Sequence, residues 1–328
     1  MITYPSFYPQ FRCIAGDCPD TCCRGWDVEL DEETYYSYLV AKGPFGERLR
    51  GSMAEEDGCF FFPLTDRGRC PFLNAQDLCD IYTELGPERL CRTCREYPRS
   101  FAGAGRYEQA DLSLSCPEAG RLFFDPATDV SFVTDPDGGT GEFAGRSPAD
   151  ETSLNALLAE RDRLLAEPFG EADAARLAED LQANLPELRT EMQAFRLLDE
   201  RWTAVRAETD AWQSRRSGAV AADAAAFFAE TPEALLWFAR LRDYFLFRYA
   251  IDGFYEEDRD RDPLRSAKRL TSHSLQILLL MCLTRREHRV SAGEPFARSD
   301  MEELARLYSR EAEHADENLQ ILKKAVSP

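Results

Sequence analysis

The chain has 328 residues, 44% of them hydrophobic and 30% charged, a balance that fits a folded protein with a real core and excludes wholesale disorder. Its formal net charge is −20. Such a field disfavours nucleic acid and anionic membrane as partners and is compatible with a basic or neutral protein surface.

Met1 to Pro9 has neither a charged n-region nor an apolar h-region. The longest apolar run, Leu275 to Leu283, is nine residues interrupted by Gln276, far short of a bilayer span. A cytoplasmic location is therefore expected, and in that compartment thiols stay reduced.

The expected fold class is mostly α: a small Cys-rich irregular α+β N-terminal part followed by a helical C-terminal part. The expected division is 1–128 as a Cys-rich metal- or iron–sulfur-binding region, 129–150 as a linker and 151–328 as a helical domain. Asp31 can cap a short helix that ends before Gly43-Pro44. Phe60 to Leu64, Asp66-Arg67-Gly68 and Cys70 to Leu73 read as strand, turn and strand of a hairpin. Tyr107 to Ser115 reads as a further strand, and Cys116-Pro117-Glu118 opens a helix, since proline suits the first helical position. Gly138-x-x-Gly141 resembles a phosphate loop only superficially, because no apolar strand closely precedes it and no helical pattern follows before about residue 152.

From there the periodicity is helical. Met192, Phe195, Leu198, Trp202 and Val205 recur at spacings of three and four. Thr231-Pro232-Glu233 starts a helix striped by Leu235, Phe238, Leu241, Phe245 and Tyr249. Ser299-x-x-Glu302 reads as a capping box. The acidic run Glu256-Glu257-Asp258 reads as a solvated face that could also attract a lysine-bearing surface.

Ten of the eleven cysteines fall between Cys13 and Cys116, while Cys282 sits in an apolar helical run as a small core residue. In a reducing compartment such density points to ligation of a metal or cluster. The spacing is Cys13-x4-Cys18-x3-Cys22-Cys23, then Cys70-x8-Cys79, Cys91-x2-Cys94 and Cys116, with Cys59 alone. All three histidines, His273, His288 and His314, lie far away in sequence, so an all-thiolate site is favoured. Structural zinc usually takes two close pairs, and only Cys91 and Cys94 have that spacing. The vicinal pair Cys22-Cys23 suits two neighbouring sites with one thiolate each. Irregular spacing suits an iron–sulfur cluster of the four-iron type. Zinc and thiol redox chemistry stay open as alternatives. The Cys-x3-Cys-x2-Cys pattern of radical enzymes is absent, since Gly25 stands at the third position.

Phe11-x-Cys13-x4-Cys18-x3-Cys22-Cys23-x-Gly25-Trp26 resembles the opening signature of the flagellin lysine-N-methylases. Cys70-Pro71-Phe72-Leu73, Leu78-Cys79-x-Ile81, Cys94-Arg95-x-Tyr97-Pro98-Arg99 and Leu114-Ser115-Cys116-Pro117-Glu118 follow in that family's order. Much of this is also similar to small Cys-rich zinc- or iron-chelating proteins, from which the long helical half sets the chain apart. In that half, Tyr244-Phe245-x2-Arg248-Tyr249 and Arg310-x2-Glu313-His314-x3-Asn318 look like family motifs. The resemblance implies methyl transfer from S-adenosylmethionine to lysine side chains of flagellin, with an iron–sulfur cluster held by Cys13, Cys18, Cys22, Cys23, Cys70, Cys79, Cys94 and Cys116. Cys59 and Cys91 fall outside its pattern. No strand-linked glycine fingerprint assigns contacts to the methyl donor.

The residues selected for catalysis are Tyr244, Arg248 and His314. Tyr244 and Arg248 are four apart and share a helical face, as a polar pair beside a substrate or cofactor carboxylate or as an ordinary amphipathic stripe. His314, seven residues after Leu307, is expected on that apolar face with Asn318 beside it, either as a core histidine or as a proton-accepting group. From a different class, the alternative is a non-enzymatic zinc- or iron–sulfur-binding carrier or interaction protein. The sequence leaves the oligomeric state open.

Overall fold

Asp57 and Gly58, both with positive φ (51° and 81°), turn the chain between two short strands in the computed structural model, which describes residues 1–141, 151–216, 218–251 and 264–325. The strands are Ala54–Glu56 and Cys59–Phe62, paired so that Glu56 faces Cys59. A two-residue turn with positive φ at both positions is the hairpin geometry that Asp-Gly favours. The hairpin expected between Phe60 and Leu73 is thus displaced: Cys59–Phe62 pairs backward with Ala54–Glu56 and also with Val28–Leu30. Cys70 to Leu73 instead enters a turn built on Asn74, whose side-chain oxygen accepts the backbone N–H groups of Gln76 (2.9 Å) and Leu78 (3.0 Å).

The chain divides into two compact units interleaved in sequence. One comprises Gln10–Ser100 and Leu112–Ala119. Its three-stranded antiparallel sheet carries Cys59–Phe62 at the centre. Asp31 caps the helix Glu32–Leu39 by accepting the N–H of Thr34 at 2.9 Å, as the sequence predicts. The core is aromatic, with Tyr38, Phe62 and Phe72 almost fully buried beside Val28, Leu30, Leu49 and Ile81. Cys70 and Cys91 are part of it.

The other unit comprises Met1–Pro9, Phe101–Asp111 and Gly120–Pro328. Ile2–Pro5 lies parallel to Tyr107–Leu112 and antiparallel to Phe132–Asp135. The last strand lies inside the 129–150 segment read as a linker. Every residue of Tyr107–Leu112 is buried. The Gly138-x-x-Gly141 loop donates the N–H groups of Thr140 (2.7 Å) and Gly141 (2.6 Å) to the buried Glu108 carboxylate. Amides that could cradle a phosphate are therefore already taken up by an internal side chain.

The helix Arg265–Ser291 is buried on all sides from Leu275 to Leu283, which an apolar-all-round sequence requires. It packs against Glu233–Ala250, Glu171–Ala194, Arg298–Glu313 and Val220–Glu230. Its Cys282 is fully buried, with Sγ 3.6 Å from Sδ of Met301.

Three local expectations in this unit are corrected. The stripe from Met192 to Val205 spans two helices, because Glu171–Ala194 ends before Phe195 and the next begins at Arg201. Glu311 accepts the N–H groups of Leu198 and Asp199, and Asn318 holds the N–H and C=O of Arg196. Distant side chains thus replace the helical bonds. The helix Arg298–Glu313 is capped at Ala297, whose N–H goes to Asp300 at 2.9 Å, so Ser299 and Glu302 lie inside it. His314 ends that helix and is exposed, while Leu307 is buried. Asn318 belongs to the following helix, Asp316–Ala325. The run Glu256-Glu257-Asp258 lies outside the described residues.

With long helices after residue 150 and, among the described residues, all of the short strands before it, the fold is mostly α with a small α+β N-terminal part. No helix among the described residues is long and apolar enough to cross a membrane.

Candidate functional site

The cysteines and the Tyr244/Arg248 pair belong to different units. In the first unit, loops and helix starts rather than long elements carry the thiols. Cys79 and Cys91 are the residues just before Asp80–Leu85 and Arg92–Glu96, and Cys116 just precedes Pro117–Phe124. Cys22 and Cys23 are anchored by the bond from the Cys70 N–H to the Cys23 carbonyl (2.8 Å). All eleven cysteines are free thiols.

The thiols are near enough to shift one another's ionisation. Cys22 hydrogen-bonds Cys23, which raises the Cys22 pKa, and burial, Cys13 and Cys116 raise it further. The same bond lowers Cys23 to about 7, helped by Thr21 and Arg69. Burial pushes Cys70 up to about 12, with Cys23, Cys79 and Cys91 adding to the rise. Burial raises Cys79 as well, with Cys23 adding. Burial likewise pushes Cys116 up to about 11, with Cys18 and Cys13 adding. Cys94 hydrogen-bonds Cys91 and is raised by that bond, by burial and by Cys23 and Cys22, while Cys91 is lowered.

Cys13, Cys18, Cys22 and Cys116 therefore neighbour one another, and Cys23, Cys70, Cys79, Cys91 and Cys94 form an adjoining set. Cys91, which the family pattern omits, sits inside the second set, buried in the core. Cys59 is exposed on its strand. Among the described residues no three His, Cys, Asp or Glu side chains are gathered tightly enough to hold a single metal ion.

In the second unit Tyr244 and Arg248 meet two carboxylates that sequence reasoning passed over. Arg248 Nη1 donates to Asp111 Oδ1, and Arg248 Nε lies 3.0 Å from Glu313 Oε1. Tyr244 donates to Glu313 at 3.2 Å, Tyr249 at 3.1 Å and Ser309 at 2.5 Å. Glu313 thus accepts from several donors, whereas among the described residues Asp111 has Arg248 alone. Burial pushes Asp111 up to about 6, Arg248 opposing and Glu313 adding to the rise. Two acids, Glu108 and Asp111, within the strand Tyr107–Leu112 were the signal for Asp111. Glu313 lies within the Arg310-x2-Glu313-His314-x3-Asn318 motif, where its neighbour His314 is the more conspicuous residue.

His314 adjoins this cluster. Part of its surface is open, yet the dense protein around the ring, with Arg248 and Arg310, pushes its imidazole down to about 3. At neutral pH it is an uncharged hydrogen-bonding group and a weak base.

Over 132 residues the chain is 31% identical to the flagellar biosynthetic protein FliU of Salmonella muenchen, an alignment covering 38% of this chain and 78% of that protein. It is 30% identical over 132 residues to the lysine-N-methylase of Salmonella typhimurium strain LT2, covering 38% of this chain and 33% of that protein. The lysine-N-methylase of Salmonella choleraesuis strain SC-B67 matches to the same extent. The shared region thus spans about a third of either lysine-N-methylase. No protein-family model matches the chain. No solved structure matches it either. On the match that covers most of FliU, and on the cysteine motifs, the chain belongs to the flagellin lysine-N-methylase family.

Proposed function

We propose that the protein is a protein-lysine N-methyltransferase that takes its methyl group from S-adenosylmethionine, acts on flagellin and carries a Cys-ligated iron–sulfur cluster. Kinship with proteins named lysine-N-methylase and flagellar biosynthetic protein carries this reading. The all-sulfur donor set supports the cluster, because soft thiolates suit iron–sulfur centres. Cys13, Cys18, Cys22 and Cys116 would hold it, with Cys23, Cys70, Cys79 and Cys94 available to a second centre. Such a centre would crosslink loops and supply a redox-active group.

Both reactants of a lysine methylation carry positive charge, the sulfonium donor permanently and the amine until it loses its proton. A neutral His314 adds none. Arg248 is neutralised by Asp111 and Glu313, so it can orient a ligand without repelling those cations. The −20 net charge favours encounter with lysine-bearing surfaces.

The hydrogen-bonded Cys91–Cys94 pair, with zinc-like spacing, favours as second reading a zinc-stabilised interaction module. Anaerobic purification with absorption spectroscopy and iron, sulfide and zinc analysis separates the two. Iron with sulfide and visible charge-transfer bands is the expected result; colourless protein holding only zinc would overturn the cluster.

A further inference from the structure

The Arg248–Asp111 contact is one-sided. Nη1 and Oδ1 make it, and among the described residues neither Nη2 of Arg248 nor Oδ2 of Asp111 has a hydrogen-bond partner. The Asp111 side chain is only 4% exposed and that of Arg248 14%. Neither atom is shut off from solvent, so a small polar ligand can reach both on side chains that are otherwise packed in protein. Glu313 fixes the guanidinium from its Nε side, and Tyr244, Tyr249 and Ser309 fix Glu313 in turn. One guanidinium donor and one carboxylate oxygen of the same ion pair are thereby left free on a locked frame.

We propose that Arg248 and Asp111 together bind an α-amino-acid group, its carboxylate on Arg248 Nη2 and its ammonium on Asp111 Oδ2. An α-amino acid carries these two charges on one carbon, which suits the two free ends of a single ion pair. Charge selects the same class. Arg248, Asp111 and Glu313 together hold one positive and two negative charges when ionised. A lone anion would meet two carboxylates, and a lone cation would leave Nη2 unpaired. A zwitterion pairs both ends and adds no net charge to a buried site. The inference deepens the methyltransferase reading and rests on it for the ligand's source, since S-adenosylmethionine ends in such a group; a free amino acid is the other source.

The test is calorimetric titration of the full-length, anaerobically prepared protein with S-adenosylhomocysteine, 5′-methylthioadenosine and L-methionine. Methylthioadenosine keeps the nucleoside and sulfur but lacks the amino-acid end. S-adenosylhomocysteine is expected to bind more than about 10-fold tighter than methylthioadenosine, since two charge-assisted hydrogen bonds separate them. Arg248→Lys and the near-isosteric Asp111→Asn are each expected to weaken S-adenosylhomocysteine by about 10- to 100-fold and to leave methylthioadenosine unchanged. Thermal melts check that the variants fold, and the wild-type ratio decides the matter if they do not. Equal affinity of wild type for the two nucleosides overturns the proposal. Tight S-adenosylhomocysteine binding that both folded variants retain overturns it while leaving the methyltransferase reading standing. L-methionine binding that depends on Arg248, with neither nucleoside bound, supports the amino-acid site and overturns S-adenosylmethionine as donor. Binding of none of the three overturns both.

Discussion

Glu311 accepts the backbone N–H of Asp199 at 2.5 Å, across more than a hundred residues of sequence. The same carboxylate accepts the Leu198 N–H, so a fully buried side chain completes a break between two helices. Glu311→Ala leaves two amides unpaired and opens a cavity. The expected loss is about 3 kcal/mol, read as a lower denaturant midpoint in chemical unfolding. A midpoint within error of wild type would show that the break needs no such support.

Gly58 tests the hairpin. Its φ is 81°, and a Cβ there would meet nothing within 4 Å. Gly58→Ala therefore carries conformational strain without steric clash, and about 1 kcal/mol of destabilisation is expected from equilibrium unfolding. A neutral or stabilising effect would mean that the turn is not of the positive-φ type.

The contrast between these two places shows what the sequence made legible. Asp31, Pro117 and the Pro232-Glu233 helix start act on their immediate neighbours, and each is found where local chemistry puts it. The Asp57-Gly58 turn was equally local, but the aromatic run after it drew the hairpin toward Cys70. The break after Ala194 was not legible, because Glu311 and Asn318 reach it from the far end of the chain. The catalytic candidates divide in the same way. Tyr244 and Arg248 share a helical face by spacing alone, but Asp111 joins them from a strand in another part of the sequence.

His314 gives a pH prediction. A histidine whose folded pKa lies below its ordinary 6.5 stabilises the native state above that value, and the contribution is lost as pH falls toward about 3. Its ring resonances in a histidine-edited NMR titration should stay in the neutral position from pH 8 to below 6, the shift being reduced to the extent that solvent screens the open side of the ring. His314→Gln should be less acid-sensitive than wild type over the same range. A midpoint near 6.5 would contradict the crowded, arginine-flanked environment.

Cys22 tests whether metal and fold are coupled. Ligation contributes folding energy, and Cys22 neighbours thiols of both sets. Cys22→Ser should lower metal content and speed backbone hydrogen exchange in residues 10–100, leaving the helix Arg265–Ser291 protected. Unchanged metal content and unchanged melting would show that Cys22 holds no metal.

The central claim is methyl transfer to lysine. The direct measurement is mass spectrometry of unmethylated flagellin after anaerobic incubation with the iron-loaded protein and isotope-labelled S-adenosylmethionine. The account predicts labelled methyl-lysine that forms only when protein and donor are both present, at a rate that falls as salt rises, because the −20 charge aids encounter with lysine-bearing surfaces. Flagellin left unlabelled by fully loaded protein, across flagellins from several sources, would contradict it.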